Sequence, residues 1–208
     1  MIRYYYRNME IDKALSIIEE KDPVRFPHIL GTFKQARLLA KYYSLDDKKC
    51  SVAAILHDYA KGENKSRLKE IITKYGDVNI IKYDEEIWHG EAGSILLKLE
   101  LGITDKDILD AVRYHVTGHP DMNDYAKVVY IADYTEETRK HPGVDFCRYA
   151  CYISLDVGVL SCSEGIYNYL NTLPKKKIHP YTQLTYEHFL AKVGRERYES
   201  IKSHYQGM

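Results

Sequence analysis

Apolar residues recur along the chain in steps of three and four, as in Ile11, Leu15 and Ile18 and again in Ile108, Ala111 and Val112. No segment alternates apolar and polar residues for long enough to make a strand. This periodicity gives each segment one apolar stripe and predicts an all-α fold. Boundary signals divide the stripes. Asp22 precedes Pro23, Thr104-Asp105-Lys106-Asp107 resembles a capping box with Asp in the Glu position, Gly76 and Gly102 suit C′ positions, and Asn123 precedes Asp124. The spacing predicts nine helices, at about 9–20, 24–44, 47–60, 65–75, 91–101, 104–117, 123–140, 144–173 and 181–204, packed as a compact multi-helix bundle. The stretch from Gly76 to Gly90 is the longest expected loop, and Lys175-Lys176-Lys177 after Pro174 reads as a solvated connector to the last helix.

Three ligand-type residues interrupt the apolar stripes. Counting back three, four and seven residues from His57 gives Ala54, Ala53 and Cys50. From His115 the count gives Val112, Ala111 and Ile108, and from Asp133 it gives Tyr130, Val129 and Ala126. All three therefore face the core. A single inward histidine is satisfied by a backbone carbonyl, but an ionised aspartate on an apolar face needs hydrogen bonds or a cation. Three helices each aiming such a group inward, with His28 at the start of a helix and His89 beside a loop, point to a metal centre. Imidazole with carboxylate suits Fe, Mn, Co, Ni or Zn, and the lack of cysteine ligands argues against a purely structural zinc site. A carboxylate next to a histidine, as in His57-Asp58, can bridge two ions that hold a hydroxide for attack on phosphorus.

Composition narrows the setting. With 208 residues, 45% of them apolar, the chain suits one domain over 1–208, with 1–20 as an N-terminal helical extension and 181–208 as a C-terminal helix. Thirty basic residues balance thirty acidic ones, which argues against a broad surface for nucleic acid or an anionic membrane. No apolar run is long enough to cross a bilayer, and the first seven residues lack the apolar region of a signal peptide, so a cytoplasmic protein is expected. The cysteines Cys50, Cys147, Cys151 and Cys162 contain no CxxC pair and read as free thiols; Cys147 and Cys151, four apart, read as small buried hydrophobes. Twenty tyrosines beside four phenylalanines suggest many half-buried rings with one wet end.

The order His28, His57-Asp58, His89, His115, Asp133 resembles the H…HD…H…H…D pattern of the HD-domain phosphohydrolases. More narrowly, Arg25-Phe26-Pro27-His28, Leu56-His57-Asp58-Tyr59-Ala60-Lys61, Trp88-His89-Gly90, His115-Val116-Thr117-Gly118, Ile131-Ala132-Asp133 and the segment from Glu137 to Val144 resemble the YqeK branch, the symmetrical diadenosine-tetraphosphate hydrolases. The likeness runs from about residue 20 to 182.

The resemblance implies an all-helical fold and a di-iron centre that splits the tetraphosphate in the middle, through a metal-bound hydroxide, to give two ADP. It implies that His28, His57, Asp58 and Asp133 hold one ion, and that His89, His115 and the shared Asp58 hold the second. It further implies catalytic roles for Asp58 and Lys61, and phosphate contacts from Lys61, Arg139 and Arg25. Val116 departs from the branch, which often has Thr there, and His119 is additional. His119, His141, His179, His188 and His204 are expected at the surface. The partner implied is a small dinucleoside polyphosphate or nucleotide. Two alternatives stand beside it: an HD hydrolase for another nucleotide (a dNTP, a nucleoside monophosphate or a cyclic nucleotide), and a non-catalytic nucleotide sensor.

Overall fold

The computed structural model describes residues 9–174 and 177–208. Two lysines of the basic run and the N-terminal eight residues thus lie outside the described residues. Eleven α-helices and no strand occur among those described: α1 Ile11–Lys21, α2 Phe26–Tyr42, α3 Asp47–Leu56, α4 Lys65–Tyr75, α5 Trp88–Glu100, α6 Lys106–Tyr114, α7 Asp124–Thr135, α8 Val144–Ala150, α9 Leu155–Asn171, α10 Pro180–Val193 and α11 Arg195–Gln206. None is long and apolar enough to cross a membrane.

Side-chain caps fix most helix starts. Asp46 accepts from the backbone N–H groups of Lys48 and Lys49, Asn64 from Ser66, and Asn123 from Ala126. Asp105, rather than Thr104, caps α6 by accepting from the Asp107 N–H.

The expected elements are corrected at four places. The span 144–173 is two helices, because Ser154 accepts from the Val157 N–H and starts α9 afresh after a turn at Cys151–Ile153. The C-terminal helix is also two: Gly194, at φ 87° and ψ 130°, takes a conformation that L side chains rarely adopt and separates α10 from α11. The stretch 76–90 is not an open loop. Two 3-10 turns, Val78–Lys82 and Glu85–Ile87, occupy it, and α5 begins at Trp88, so His89 lies in the first turn of a helix. Finally α3, α6 and α7 stop at residues 56, 114 and 135, short of the expected 60, 117 and 140.

Two helices form the centre. Every residue from Cys50 to Leu56 in α3 is buried, and so is every residue from Ala126 to Ala132 in α7. The small side chains of Cys50, Ser51, Ala53 and Ala54 let α1, α2, α6 and α7 all pack against α3. Ile55 and Leu56 are fully buried, and each contributes roughly 1.5–3 kcal/mol relative to an exposed side chain. All four cysteines are free and buried. Several tyrosines keep one polar contact, with Tyr43 donating to Cys151 O (2.5 Å), Tyr59 to Glu100 (2.7 Å) and Tyr198 to Glu164 (2.9 Å). Tyr130 is the exception, fully buried with no hydroxyl partner.

Placing a side chain on the positive φ of Gly194 should strain the break between α10 and α11. Gly194→Ala is expected to lower the unfolding free energy by about 1–3 kcal/mol, read by denaturant titration. An unchanged midpoint would show that the break tolerates an L side chain.

Candidate metal centre

Three helices end where the site begins. His57 is the C-cap of α3, His115 is the C-cap of α6, and Asp133 lies in the last turn of α7. The closing carbonyls of a helix have no intrahelical donors. Two of them fix a ring here: His57 Nδ1 donates to Ala54 O and His115 Nδ1 to Val112 O, both at 2.7 Å. His89 Nδ1 donates to Glu86 O at 2.7 Å, and His28 Nδ1 donates to the Glu136 carboxylate at 3.1 Å. With every Nδ1 acting as a donor, all four Nε2 atoms turn toward the centre, as lone pairs in the neutral rings of His57 and His89.

Those four nitrogens converge with two carboxylates. His28 Nε2 lies 3.3 Å from His57 Nε2 and 3.2 Å from Asp133 Oδ1, which is 3.9 Å from His57 Nε2. His89 Nε2 lies 3.0 Å from His115 Nε2. Asp58 stands between the two pairs. Its Oδ1 faces His89 Nε2 at 3.1 Å and His115 Nε2 at 3.5 Å, while its Oδ2 faces His57 Nε2 at 3.7 Å. The Asp58 side chain is only 2% exposed, yet neither oxygen accepts a hydrogen bond.

Electrostatics sets the protonation of the cluster. Burial pushes His57 and His89 down to about 4, so both rings are neutral near pH 7. Burial also pulls His28 down, but its bonds to Asp133 and Glu136 outweigh it and raise this ring above its ordinary value. Burial alone would raise Asp58 and Asp133; the surrounding imidazoles reverse the sign and hold both carboxyls below the usual carboxylate range.

Acceptors therefore face acceptors across a dry space, an arrangement that a cation relieves. His28, His57 and Asp133 form one group able to hold a metal, and His57, Asp58 and His115 form another, with ligand atoms within 4.8 Å of one another in each. The partial negative charge at the ends of α3, α6 and α7 adds to the attraction. The donor set, imidazole nitrogen and carboxylate oxygen without sulfur, fits a first-row transition metal.

Basic side chains rim the cluster. Lys61 Nζ is 3.5 Å from Asp58 Oδ2 and 41% exposed, and Arg25 Nε is 3.9 Å from the same oxygen while its Nη2 pairs with Asp22 at 2.9 Å. Arg139 donates from Nε to Asp133 O at 2.9 Å and from Nη2 to Asp133 Oδ1. All nine residues singled out in the sequence thus lie in one place.

Two further residues belong to the site. Glu136 is fully buried and accepts from His28, from the Thr138 N–H (2.6 Å) and from the Thr138 hydroxyl (2.5 Å). A Cβ at position 31 would lie 2.5 Å from Glu136 Oε2, so Gly31 is what lets α2 approach this carboxylate. Arg148, on α8, donates to Thr135 O (2.9 Å), Glu136 O (2.8 Å) and Arg139 O (3.0 Å), which fixes the chain after α7. Counting back three, four and seven residues from Glu136 gives Asp133, Ala132 and Val129, so the α7 stripe reaches it, but its partner His28 is 108 residues away and spacing along α7 does not pair the two.

Three histidines expected at the surface are half-buried or buried, and the first, His141, packs its ring against Tyr134 with centroids 4.1 Å apart. His119 is half-buried, stacked on Tyr114 with centroids 4.6 Å apart, and accepts from the Asp121 N–H at 3.0 Å. His179 is buried and caps α10 by accepting from the Tyr181 N–H. His119 is committed to a turn and His179 to a cap.

The family model for the HD domain matches residues 25–138, which hold every residue of the cluster and the three basic side chains except Arg139. The chain belongs to the HD domain family. It is 37% identical over 182 residues to the symmetrical bis(5'-nucleosyl)-tetraphosphatase of Bacillus subtilis (strain 168), an overlap covering 86% of this chain and 96% of that one. The enzyme of the same name from Halalkalibacterium halodurans is 35% identical, over 88% of this chain and 98% of the relative. The crystal structure of a predicted HD superfamily hydrolase involved in NAD metabolism, from Clostridium acetobutylicum, superposes on this HD domain with a TM-score of 0.81 at 30% identity, covering 89% of this chain and 99% of that one.

The neutral rings give the metal-free HD domain a pH signature. In the unfolded chain His57 and His89 take up protons below about 6.5, while in the fold they resist until about 4. The unfolded state therefore binds more protons in that window, and stability falls on acidification, with a slope approaching about 1.4 kcal/mol per pH unit for each ring. His28, held above 6.5 in the fold, acts outside the window and with the opposite sign. Denaturant unfolding of chelator-treated protein should show lower stability at pH 5 than at pH 6.5. Equal stability would mean that the buried rings accept protons.

Proposed function

We propose that the chain is a metal-dependent hydrolase that cleaves a dinucleoside tetraphosphate, such as diadenosine tetraphosphate, symmetrically into two nucleoside diphosphates. The observation that carries this reading is the Asp58 carboxylate: dry, without a hydrogen bond, and with one oxygen turned to each pair of imidazoles. That fits one carboxylate shared by two cations, with His28, His57 and Asp133 on one side and His89 and His115 on the other. Iron is the metal the family resemblance implies. Likeness to curated tetraphosphatases over nearly their whole length supports the substrate.

Bound cations would supply an acidified water and neutralise charge on the phosphoryl oxygens. The protein's own groups do the rest. Lys61, partly exposed beside Asp58, offers an ammonium to a phosphoryl oxygen as charge builds there, and Arg25 and Arg139 bring guanidinium groups to either side of the cluster. Glu136 orients His28 and strengthens it as a ligand, in the manner of a carboxylate–histidine–metal triad.

Anaerobically prepared, iron-loaded protein incubated with diadenosine tetraphosphate is expected to yield ADP alone; AMP with ATP would overturn the symmetrical reading. Asp58→Ala should lose both metal and activity, whereas Lys61→Ala should keep its metal by mass spectrometry and lose roughly 100-fold in rate. Full metal content in Asp58→Ala would contradict the bridging role. Glu136→Gln should weaken metal affinity about 10- to 100-fold in a chelator competition. Unchanged affinity would reduce Glu136 to a packing role.

A further inference from the structure

At the end of the bundle where Asp133 lies, a cavity of about 590 Å³ opens between the end of α7, the chain that follows it and the last turns of α9. Its size is that of a small-molecule site. Three rings line it, those of Tyr134, His141 and Tyr169, together with Ile166, while Asn168 and Thr172 add hydrogen-bonding groups. His141 is fixed against Tyr134, with centroids 4.1 Å apart, and its Nε2 donates to Tyr134 O at 3.0 Å. Tyr169 is 64% exposed, an aromatic face left in water.

The same stretch of chain contributes to the cavity and to the candidate metal centre. Tyr134 follows Asp133, His141 lies two residues beyond Arg139, and Arg139 is bonded to Asp133. The two spaces differ sharply in charge. The centre is rimmed by Lys61, Arg25 and Arg139, whereas among the described residues no Lys, Arg, Asp or Glu lines the cavity. A ligand part held there is uncharged, flat and apolar on its faces, with polar atoms on its edge. In a nucleotide whose phosphates sit beside Arg139, that part is the base.

We propose that this cavity is the subsite for a purine base of the bound nucleotide. Tyr134, His141 and Tyr169 supply stacking faces, and the Asn168 carboxamide, with a donor and an acceptor side by side, suits the edge of the ring. The subsite rests on the reading of the centre as a nucleotide phosphohydrolase, and the test separates the two.

Calorimetric titration of the metal-loaded protein with ADP and with pyrophosphate, which lacks a base, makes that separation. The wild-type protein should bind ADP about tenfold or more tightly than pyrophosphate. Tyr169→Ala, which removes an exposed ring and leaves the core intact, should weaken ADP about tenfold and leave pyrophosphate unchanged. Asn168→Ala should act in the same direction. Wild-type affinity for ADP in both variants, or equal affinity of the wild-type protein for the two ligands, would overturn the subsite while leaving phosphate binding at the centre intact. Failure of both ligands to bind the wild-type protein would overturn the nucleotide reading and the subsite with it.

Discussion

The site is governed by a conflict among acceptors. Each of four imidazoles donates from Nδ1 to a partner behind it, a helix carbonyl for His57, His89 and His115 and a carboxylate for His28. What remains in front is a set of lone pairs, brought to within 3.0 Å between His89 and His115 and facing an ionised Asp58 that no donor satisfies. Such a cluster is unfavourable by itself in a dry interior. Much of the fold holds it together: the small residues of α3 let four helices close around His57, Gly31 admits Glu136, and Arg148 ties down the chain after α7.

Charge is organised at two scales. The whole chain balances thirty basic against thirty acidic residues, which leaves no general attraction for a polyanion. Locally three basic side chains stand beside three carboxylates, Asp58, Asp133 and Glu136, and three helix C-termini favour cations. The chain that follows Asp133 helps to build a cavity whose lining, among the described residues, is rings and uncharged groups. A nucleotide divides in the same way, into phosphates and base.

The sequence revealed the inward residues better than the helix ends. His57, His115 and Asp133 announce themselves because each sits on an apolar stripe, and burial is what a stripe reports. His28 and His89 have no such signal, lying in the first turns of α2 and α5, and only the ordered family pattern singles them out. The breaks before Ser154 and at Gly194 are hidden because apolar periodicity continues across them, while a capping hydroxyl and a positive φ decide the backbone. Glu136 and Arg148 are set by contacts that join the end of α7 to α2 and α8, and spacing along one helix carries no trace of those.

The chemistry proposed for the centre depends on Asp58 being shared between two cations. Anomalous scattering from crystals of the metal-loaded protein measures this directly. Two peaks are predicted, one on each side of the Asp58 carboxylate, the first within bonding distance of His28, His57 and Asp133 and the second within bonding distance of His89 and His115. A single peak, or a pair that leaves one Asp58 oxygen without a metal, would contradict it.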